Sequence, residues 1–434
     1  MQECRRKGEL RLLTASFLWS LLAECSSAGY GRPPAKLKSH ITETLSPLNH
    51  NIVEQARKNP ITDMKPLLSI STSPHTKYVP GRSIAEISEQ YNIPADAIIK
   101  LGSNENPLGP APAAVRAIIE HANEVSIYPD SDASSLCDAL SGYTGYPSTN
   151  IVASAGMDGV IDTLMRMLMP GVAIIPVPTF SYYAISARTH HGTPVFVPRD
   201  ENSGFDPQAI LSQVTDETRV IFLCSPNNPS GNLVPESDLR TILTGCGDCN
   251  GCDGCGAVVF LDEAYVEFAG MSMIHLVREY DNLVVGRTLS KAFGLAGLRV
   301  GYAVMPEKMR DGYLGCATPF SVSSLASEAG IAALDDDAHL KQSVTLVRDG
   351  RRMLTEMIPF KVYPSEANFV LVDVSPYRSG DVCELLARKG IIVRDCSSFR
   401  GAGDALVRVS VGTPEQNECV VDAFLEFESR NGIT

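Results

Sequence analysis

The chain has no long run of lysine and arginine, and its formal net charge is −13 over 434 residues. Binding to a polyanion needs a basic patch or stripe, so nucleic acid is excluded as the main partner. Past the N-terminus no uninterrupted apolar run approaches the ~18 residues of a membrane span, so no membrane helix is expected there. The 12 cysteines are scattered outside one cluster, at Cys137, Cys224, Cys316, Cys383, Cys396 and Cys419. A secreted disulfide scaffold is short and cysteine-dense, so a reducing interior is the better reading, with the cytoplasm the expected location. No internal repeat is apparent.

What is there reads as an ordinary soluble enzyme, 44% hydrophobic and 20% charged, long enough for two or three domains. At the N-terminus, Arg5, Arg6, Lys7 and Arg11 precede a mostly apolar stretch from Leu12 to Ala23, the outline of a signal or transit peptide. Glu3, Glu9 and Glu24 run against that outline. The expectation is a dispensable extension, with organellar targeting as the alternative. Residues from about 31 to 74 are polar and punctuated by proline, and read as a mobile arm. The expected domains are an extension and linker over 1–74, an arm over 75–110 that joins the small domain, a large domain over 111–320, and a C-terminal small domain over 321–434.

Folded character begins near Tyr78. Ser83 opens a short helix with Ile84 and Ile87 on one stripe and Glu86 placed to complete a capping box. Beyond it, apolar runs alternate with helical patterns. Ala173 to Val177, Val220 to Cys224, Ala257 to Leu261, Leu283 to Gly286 and Val300 to Val304 read as buried strands. Gly159 to Met169, Asp238 to Thr244 and Met271 to Glu279 read as helices. Nearly all-apolar strands between helices imply α/β architecture, a mainly parallel mixed sheet sandwiched by helices. After about residue 320 the pattern changes to a long helical region, Ser323 to Met357. Short strands at Asn368 to Val372, Ile391 to Arg394 and Leu406 to Val411 follow, with a helix at Asp381 to Arg388, which makes a smaller α+β domain.

The stretch from Arg287 to Arg299 carries the most chemistry. It sets Lys291 among small and hydroxyl residues, with Arg299 eight positions on. A lysine that attacks a carbonyl needs a lowered pKa and a free amine. Hydroxyls and a second cation beside it suit a phosphate-bearing aldehyde, and the cofactor suggested is pyridoxal phosphate. Other candidates sit at strand ends, where open parallel sheets bind ligands. Asp262 ends a strand, and a carboxylate there holds a pyridine nitrogen protonated. Tyr265 and Asn228 can reach a ring oxygen from two sides. Ala155-Gly156-Met157 precedes a helix whose first amides attract phosphate, and Thr288, Ser290 and Arg299 add phosphate contacts. Phe180 offers a face for stacking. Each feature alone has a plain structural explanation, as a surface lysine, a helix start or an Asn-Pro turn. Their joint order along the chain argues for a site.

On these residues the chain resembles the pyridoxal-phosphate aminotransferases of the aspartate-aminotransferase fold (fold type I), and within them those acting on histidinol phosphate. Further matching segments are Leu101 to Pro110, Tyr128-Pro129-Asp130, Ser225 to Gly231, Ala367-Asn368-Phe369, Val393-Arg394-Asp395 and Val407 to Gly412. The resemblance implies that Lys291 bonds the cofactor and moves the proton, Asp262 pairs with the pyridine nitrogen, and Asn228 and Tyr265 hold the ring oxygen. It assigns the phosphate to Ala155, Gly156, Met157, Thr288, Ser290 and Arg299, with Tyr128 arriving from the partner subunit of a homodimer. Phe180 would stack on the ring where the family often has tyrosine. Arg408 would take the substrate carboxylate, Arg394 and Tyr78 a substrate phosphate, and Asn106 completes the substrate set. The implied reaction is ping-pong. Glutamate leaves as 2-oxoglutarate, and imidazole acetol phosphate becomes histidinol phosphate. An aromatic amino-acid aminotransferase and a phosphothreonine decarboxylase of the same fold are the alternatives.

Residues 1 to about 65 have no counterpart in that family. Neither has the glycine-rich segment holding Cys246, Cys249, Cys252 and Cys255. Four thiolates at even spacing can bind zinc or an iron–sulfur cluster. The pattern lacks the x3-C-P ending of ferredoxins and the split pairs of a zinc site, so a flexible insertion with reduced thiols is the preferred reading, and no metal is expected. A metal- or redox-sensing protein with a degenerate enzyme body is the remaining alternative, opposed by the intact Asp262, Lys291 and Arg299.

Overall fold

The computed structural model describes residues 78–247 and 256–431. The N-terminal extension, and Cys249, Cys252 and Cys255 of the cysteine segment, lie outside the described residues. Cys246 is buried in the helix Glu236–Gly247.

The strands in chain order are β1 (Ile99–Lys100), β2 (Ile151–Ala155), β3 (Val172–Val177), β4 (Thr193–Pro198), β5 (Thr218–Cys224), β6 (Val258–Asp262), β7 (Leu283–Thr288), β8 (Val300–Val304), β9 (Lys361–Tyr363), β10 (Phe369–Asp373), β11 (Ile391–Ile392), β12 (Arg394–Asp395) and β13 (Leu406–Ser410). Seven of them form one sheet in the order β2-β8-β7-β6-β5-β3-β4. All pairs from β7 to β4 are parallel, and β8 runs antiparallel to both of its neighbours. This is the mainly parallel mixed sheet expected. Every residue of β6, β7 and β8 is buried, as strands covered on both faces must be. A four-stranded antiparallel sheet, β12-β13-β10-β9, and a parallel pair, β1-β11, complete the strands.

The two strands of the large sheet not expected from sequence, β2 and β4, are its outermost. Pro194 and Pro198 are tolerated in β4 because an edge strand has one unpaired side. Three helical expectations are corrected. Ser323 to Met357 is two helices, Ser324–Leu334 and Asp337–Met357, because Ser323 caps the first and Asp336 the second. The first of these packs on the helices Pro112–His121 and Ser134–Thr144. Met271 to Glu279 holds only the 3-10 segment Ile274–Arg278. There the Glu263 carboxylate accepts from the Met273 N–H at 2.8 Å and the Ser272 hydroxyl at 2.8 Å, which ties the chain down before a helix can run. The capping box at Ser83 is half made. Ser83 accepts from the Glu86 N–H at 3.1 Å, but the Glu86 carboxylate turns to Arg82 at 2.9 Å.

Ile391 to Arg394 is not one strand. Ile391–Ile392 pairs with β1, and Arg394–Asp395 pairs with β13. The chain changes sheets at Val393, which delivers Arg394 opposite Arg408.

Candidate active site

Strands β5, β6 and β7 end side by side, with Cys224 in register with Asp262 and Asp262 with Gly286. A cavity of about 200 Å³ opens there. Met157, Phe180, Asn228, Asp262, Tyr265 and Thr288 line it, joined by Ser290, Lys291 and Arg299, and by Tyr78, Arg394 and Arg408. Segments more than three hundred residues apart thus meet in one space.

Lys291 sits just after β7. Its Nζ donates to the Ser103 carbonyl at 3.2 Å and lies 5.8 Å from the Tyr265 ring centroid. Burial depresses its pKa to about 8, with the Arg408 charge helping. Roughly a tenth of such an amine is neutral at pH 7, against under about a thousandth for an unperturbed lysine.

Asp262 closes β6 and is buried. Its Oδ2 accepts from the Tyr183 hydroxyl at 2.6 Å and its Oδ1 from the Ala264 N–H at 2.9 Å. Burial lifts its pKa to about 6, against the pull of those two bonds. At neutral pH it is an anion facing a cavity, with no ion-pair partner among the described residues, so a cationic ring nitrogen suits it. Tyr183, three residues after Phe180, is thereby a site residue. It is fully buried, and its ring stacks on Phe222 at 4.6 Å with 8° between planes.

Tyr265 is positioned by a residue that sequence reasoning did not single out. Its hydroxyl accepts from Asn104 Nδ2 at 3.0 Å. Asn104 in turn is held by Ser410 of β13, which accepts from its N–H at 2.9 Å and donates to its Oδ1 at 2.8 Å. Asn104 has φ of 55°, in the left-handed region. Its polar side chain tolerates that conformation better than most, and such backbone strain gathers at functional sites.

At the other side of Lys291 the helix Gly156–Leu168 points its N-terminus at the cavity, where Met157 and Asp158 line it. Gly156 (φ 78°) has no room for a side chain, since a Cβ would lie 2.5 Å from Arg299 Nη2. Gly301 of β8 is equally constrained, for its Cβ would meet the Gly156 carbonyl carbon at 2.2 Å. The pair lets strand, helix end and guanidinium crowd together. The Arg299 guanidinium pairs with Asp158 at 2.8 Å, both half-exposed. Thr288 and Ser290 are buried beside it, with hydroxyls 2.9 Å apart. Free helix amides, a cation and two hydroxyls form an oxyanion cradle.

The opposite wall comes from the antiparallel sheet. Arg394 and Arg408 are direct register partners on β12 and β13, and both are buried. Arg408 donates to Asn228 Oδ1 at 2.5 Å and to the Gly102 carbonyl at 2.8 Å, and its Nε has no hydrogen-bond partner among the described residues. Arg394 donates to the Val79 carbonyl at 2.7 Å and to Ser398 Oγ at 3.1 Å. Neither has an ion-pair partner among the described residues. Like charges directly across a sheet destabilise it, so this wall is built for an anionic ligand. Tyr78 stands at the mouth, edge-on to Phe180 with centroids 6.2 Å apart.

Two expected site residues lie elsewhere. Asn106 does not line the cavity; its amide donates to the Ala292 carbonyl at 2.8 Å and to Ser343 at 2.9 Å, bracing a loop. Tyr128 is 82% exposed and packs on Phe320 instead. Ala155 ends β2 beside Gly156 and is exposed. Taken together, an oxyanion cradle, a carboxylate for a ring cation and a part-neutral lysine between them fit the phosphate, pyridine nitrogen and aldehyde of pyridoxal phosphate. Among the described residues no cluster of His, Cys, Asp and Glu could hold a metal, and no helix is long and apolar enough to cross a membrane.

Comparison with known proteins accords with this geometry. The sequence profile of the aminotransferase class I and II family matches residues 96–424. A histidinol-phosphate aminotransferase of Methanosarcina mazei is 57% identical over 351 residues, covering 80% of this chain and 93% of its own. Among solved structures, the histidinol-phosphate aminotransferase from Clostridium acetobutylicum aligns with a TM-score of 0.71 at 25% identity, over 77% of this chain and 100% of its own. That of Sinorhizobium meliloti, in complex with pyridoxal-5'-phosphate, aligns at 0.70 with 23% identity, over 83% and 98%.

Proposed function

The chain belongs to the class I and II aminotransferases, and on that premise we propose how its residues divide the work of a histidinol-phosphate aminotransferase. The enzyme uses pyridoxal phosphate to pass an amino group from glutamate to imidazole acetol phosphate, giving 2-oxoglutarate and histidinol phosphate in histidine biosynthesis. The observation that carries the substrate reading is the opposed, uncompensated pair of Arg394 and Arg408 in the wall of the cavity that holds Lys291.

When bound, the cofactor supplies an electron-poor ring that takes up the electron pair left at the substrate Cα. Lys291 would anchor it and then, as a free amine, take the proton from the substrate Cα and, as general acid, return it at the cofactor's aldehyde-derived carbon. Its depressed pKa suits both tasks near neutral pH. Asp262 keeps the ring nitrogen protonated, and Tyr183 keeps Asp262 ionised and aimed. Tyr265 and Asn228 hold the ring oxygen, and Phe180 covers the ring face. Gly156, Thr288, Ser290 and Arg299, with the helix N-terminus, hold the phosphate. Arg408 takes the glutamate carboxylate. Arg394, with Tyr78, takes the phosphate of the other substrate.

A homodimer belongs to the same reading. Ile119, Val125, Ile127 and Tyr128 are large apolar residues 69%, 63%, 70% and 82% exposed, and exposed apolar side chains so close in sequence suit a subunit interface. A partner's copy of Tyr128 would then serve the phosphate. We further assign residues 75–110 and the C-terminal part to a small domain, a division that the β1–β11 pairing supports. The packing of Ser324–Leu334 on Pro112–His121 and Ser134–Thr144 supports counting that helix with the large domain. A cytoplasmic location is in keeping with free thiols at Cys137, Cys224 and Cys396.

The test is an absorbance spectrum of the cofactor-loaded protein. Histidinol phosphate should convert the aldehyde band to that of the aminated cofactor, and 2-oxoglutarate should restore it. A band that answers only phenylalanine or tyrosine would make the protein an aromatic aminotransferase. Release of carbon dioxide with no need for an oxo-acid would make it a decarboxylase.

A further inference from the structure

A second cavity, of about 410 Å³, shares the Phe180 wall with the active site. Ile175 and Val177 of β3, with Ala184 and Ile185 of the helix Tyr182–Thr189, make one side apolar. The polar side carries Arg188, Arg400 and the hydroxyls of Ser181, Ser397 and Ser398, and among the described residues no carboxylate lines the cavity. Both guanidiniums rest on the Phe196 ring, their central carbons 5.7 and 4.1 Å from its centroid.

Neither arginine has an ion-pair partner among the described residues, in a chain with 50 acidic residues against 37 basic ones. Two arginines that share an aromatic ring in an acid-free cavity generate a local positive potential that a bound anion relieves. We propose that this is a second oxyanion-binding site, separate from Arg394 and Arg408, that takes a small phosphate ester with an apolar body. Two guanidinium forks and three hydroxyls offer more donors than a carboxylate's two oxygens can use, and a phosphate's three oxygens match them better. The apolar side receives the rest of the molecule. The site also adjoins the substrate wall through shared backbone, since Arg394 donates to the Val79 carbonyl and to Ser398, and both residues line the second cavity.

Titration calorimetry of the cofactor-loaded full chain with phenyl phosphate reads this directly. Two binding events per chain are expected, one at each site. The combined substitution Arg188→Gln, Arg400→Gln should weaken one event about tenfold or more and leave the other; Arg394→Gln should do the reverse. An unchanged cofactor absorbance band shows that the double variant is folded, and Arg400→Gln alone, at an exposed position, should give a partial loss. A titration with only one event, or a second event that survives the double substitution, overturns the proposal. Benzoate in place of phenyl phosphate separates the anion classes, and equal affinity at the second site would overturn the phosphate assignment.

Discussion

The two ends of the active-site cavity handle positive charge differently. At the cradle end, Arg299 already has a counter-charge in Asp158, and both are half-exposed. At the substrate end, Arg394 and Arg408 face each other across two strands, buried and without an acid. The first arrangement is nearly neutral before any ligand arrives. The second stores repulsion that only an anion removes. A resident cofactor stays through many turnovers and needs a cradle that is stable when empty. A substrate must bind and leave, so its affinity is better drawn from charge that nothing else satisfies.

Both ends depend on Lys291, so its loss removes the function of each. Lys291→Ala should lower turnover by at least about a thousandfold in both half-reactions, the scale of lost acid–base catalysis. Stopped-flow spectra with glutamate and with histidinol phosphate check this, and an effect confined to one half-reaction would assign the proton transfer to another group.

Next in size come the two arginines, whose substitution separates the substrate end into its parts. Charge-assisted hydrogen bonds in a buried site put each loss at about ten- to a hundredfold in kcat/KM. Arg408→Gln should harm glutamate more than histidinol phosphate. Arg394→Gln should harm the phosphorylated substrate and spare glutamate. If both variants harm both substrates equally, the division of labour between β12 and β13 is wrong.

Tyr183→Phe probes the ring-nitrogen side with a smaller expected effect, roughly three- to tenfold in kcat from one hydrogen bond. That bond holds the Asp262 pKa down against burial. Without it the pKa rises further above about 6, and the acid limb of the kcat profile should move to higher pH. An unmoved limb would make Tyr183 a packing residue only. The Lys291 amine gives a companion test. Its pKa is lowered by burial first and by Arg408 next, so the rate of cofactor recapture by the stripped protein should rise with pH and level off near 8. In Arg408→Gln one like charge is gone, the amine pKa rises, and the plateau should come at higher pH.

Those groups were not equally legible in the sequence. Lys291, Asp262, Thr288, Ser290 and Arg299 could be found because each sits at or just beyond the end of an apolar run, where the sheet itself places it. Asn104 stands in a stretch noted from sequence and Tyr183 three residues after Phe180, yet their roles were hidden. A phenol aimed at a carboxylate and one fully committed to packing have the same letter and the same neighbours. Asn104 and Asn106 are two positions apart, and only the left-handed turn at Asn104 decides which of them faces the cavity. The opposition of Arg394 and Arg408 depends on strand register between segments that periodicity shows as strands but cannot align. The outer strands β2 and β4 escaped because edge positions relax the apolar, proline-free pattern that marks the central ones.

Asp158 gives the smallest and most direct test of the difference between the ends. Asp158→Asn keeps the shape of the side chain and removes its charge, which leaves Arg299 as uncompensated as Arg394 and Arg408. The pair is half-exposed, so water and salt screen it, and exposed pairs are worth at most about 1 kcal/mol. The stripped protein should therefore bind inorganic phosphate at the cradle only a few-fold more tightly than the parent, with the gain shrinking as salt is raised. Competition against cofactor recapture reads that affinity at the cradle rather than at the substrate end. If the substitution weakens phosphate binding instead, Asp158 acts mainly by holding the Arg299 guanidinium in place over Gly156. Geometry rather than charge balance would then be what the cradle end provides.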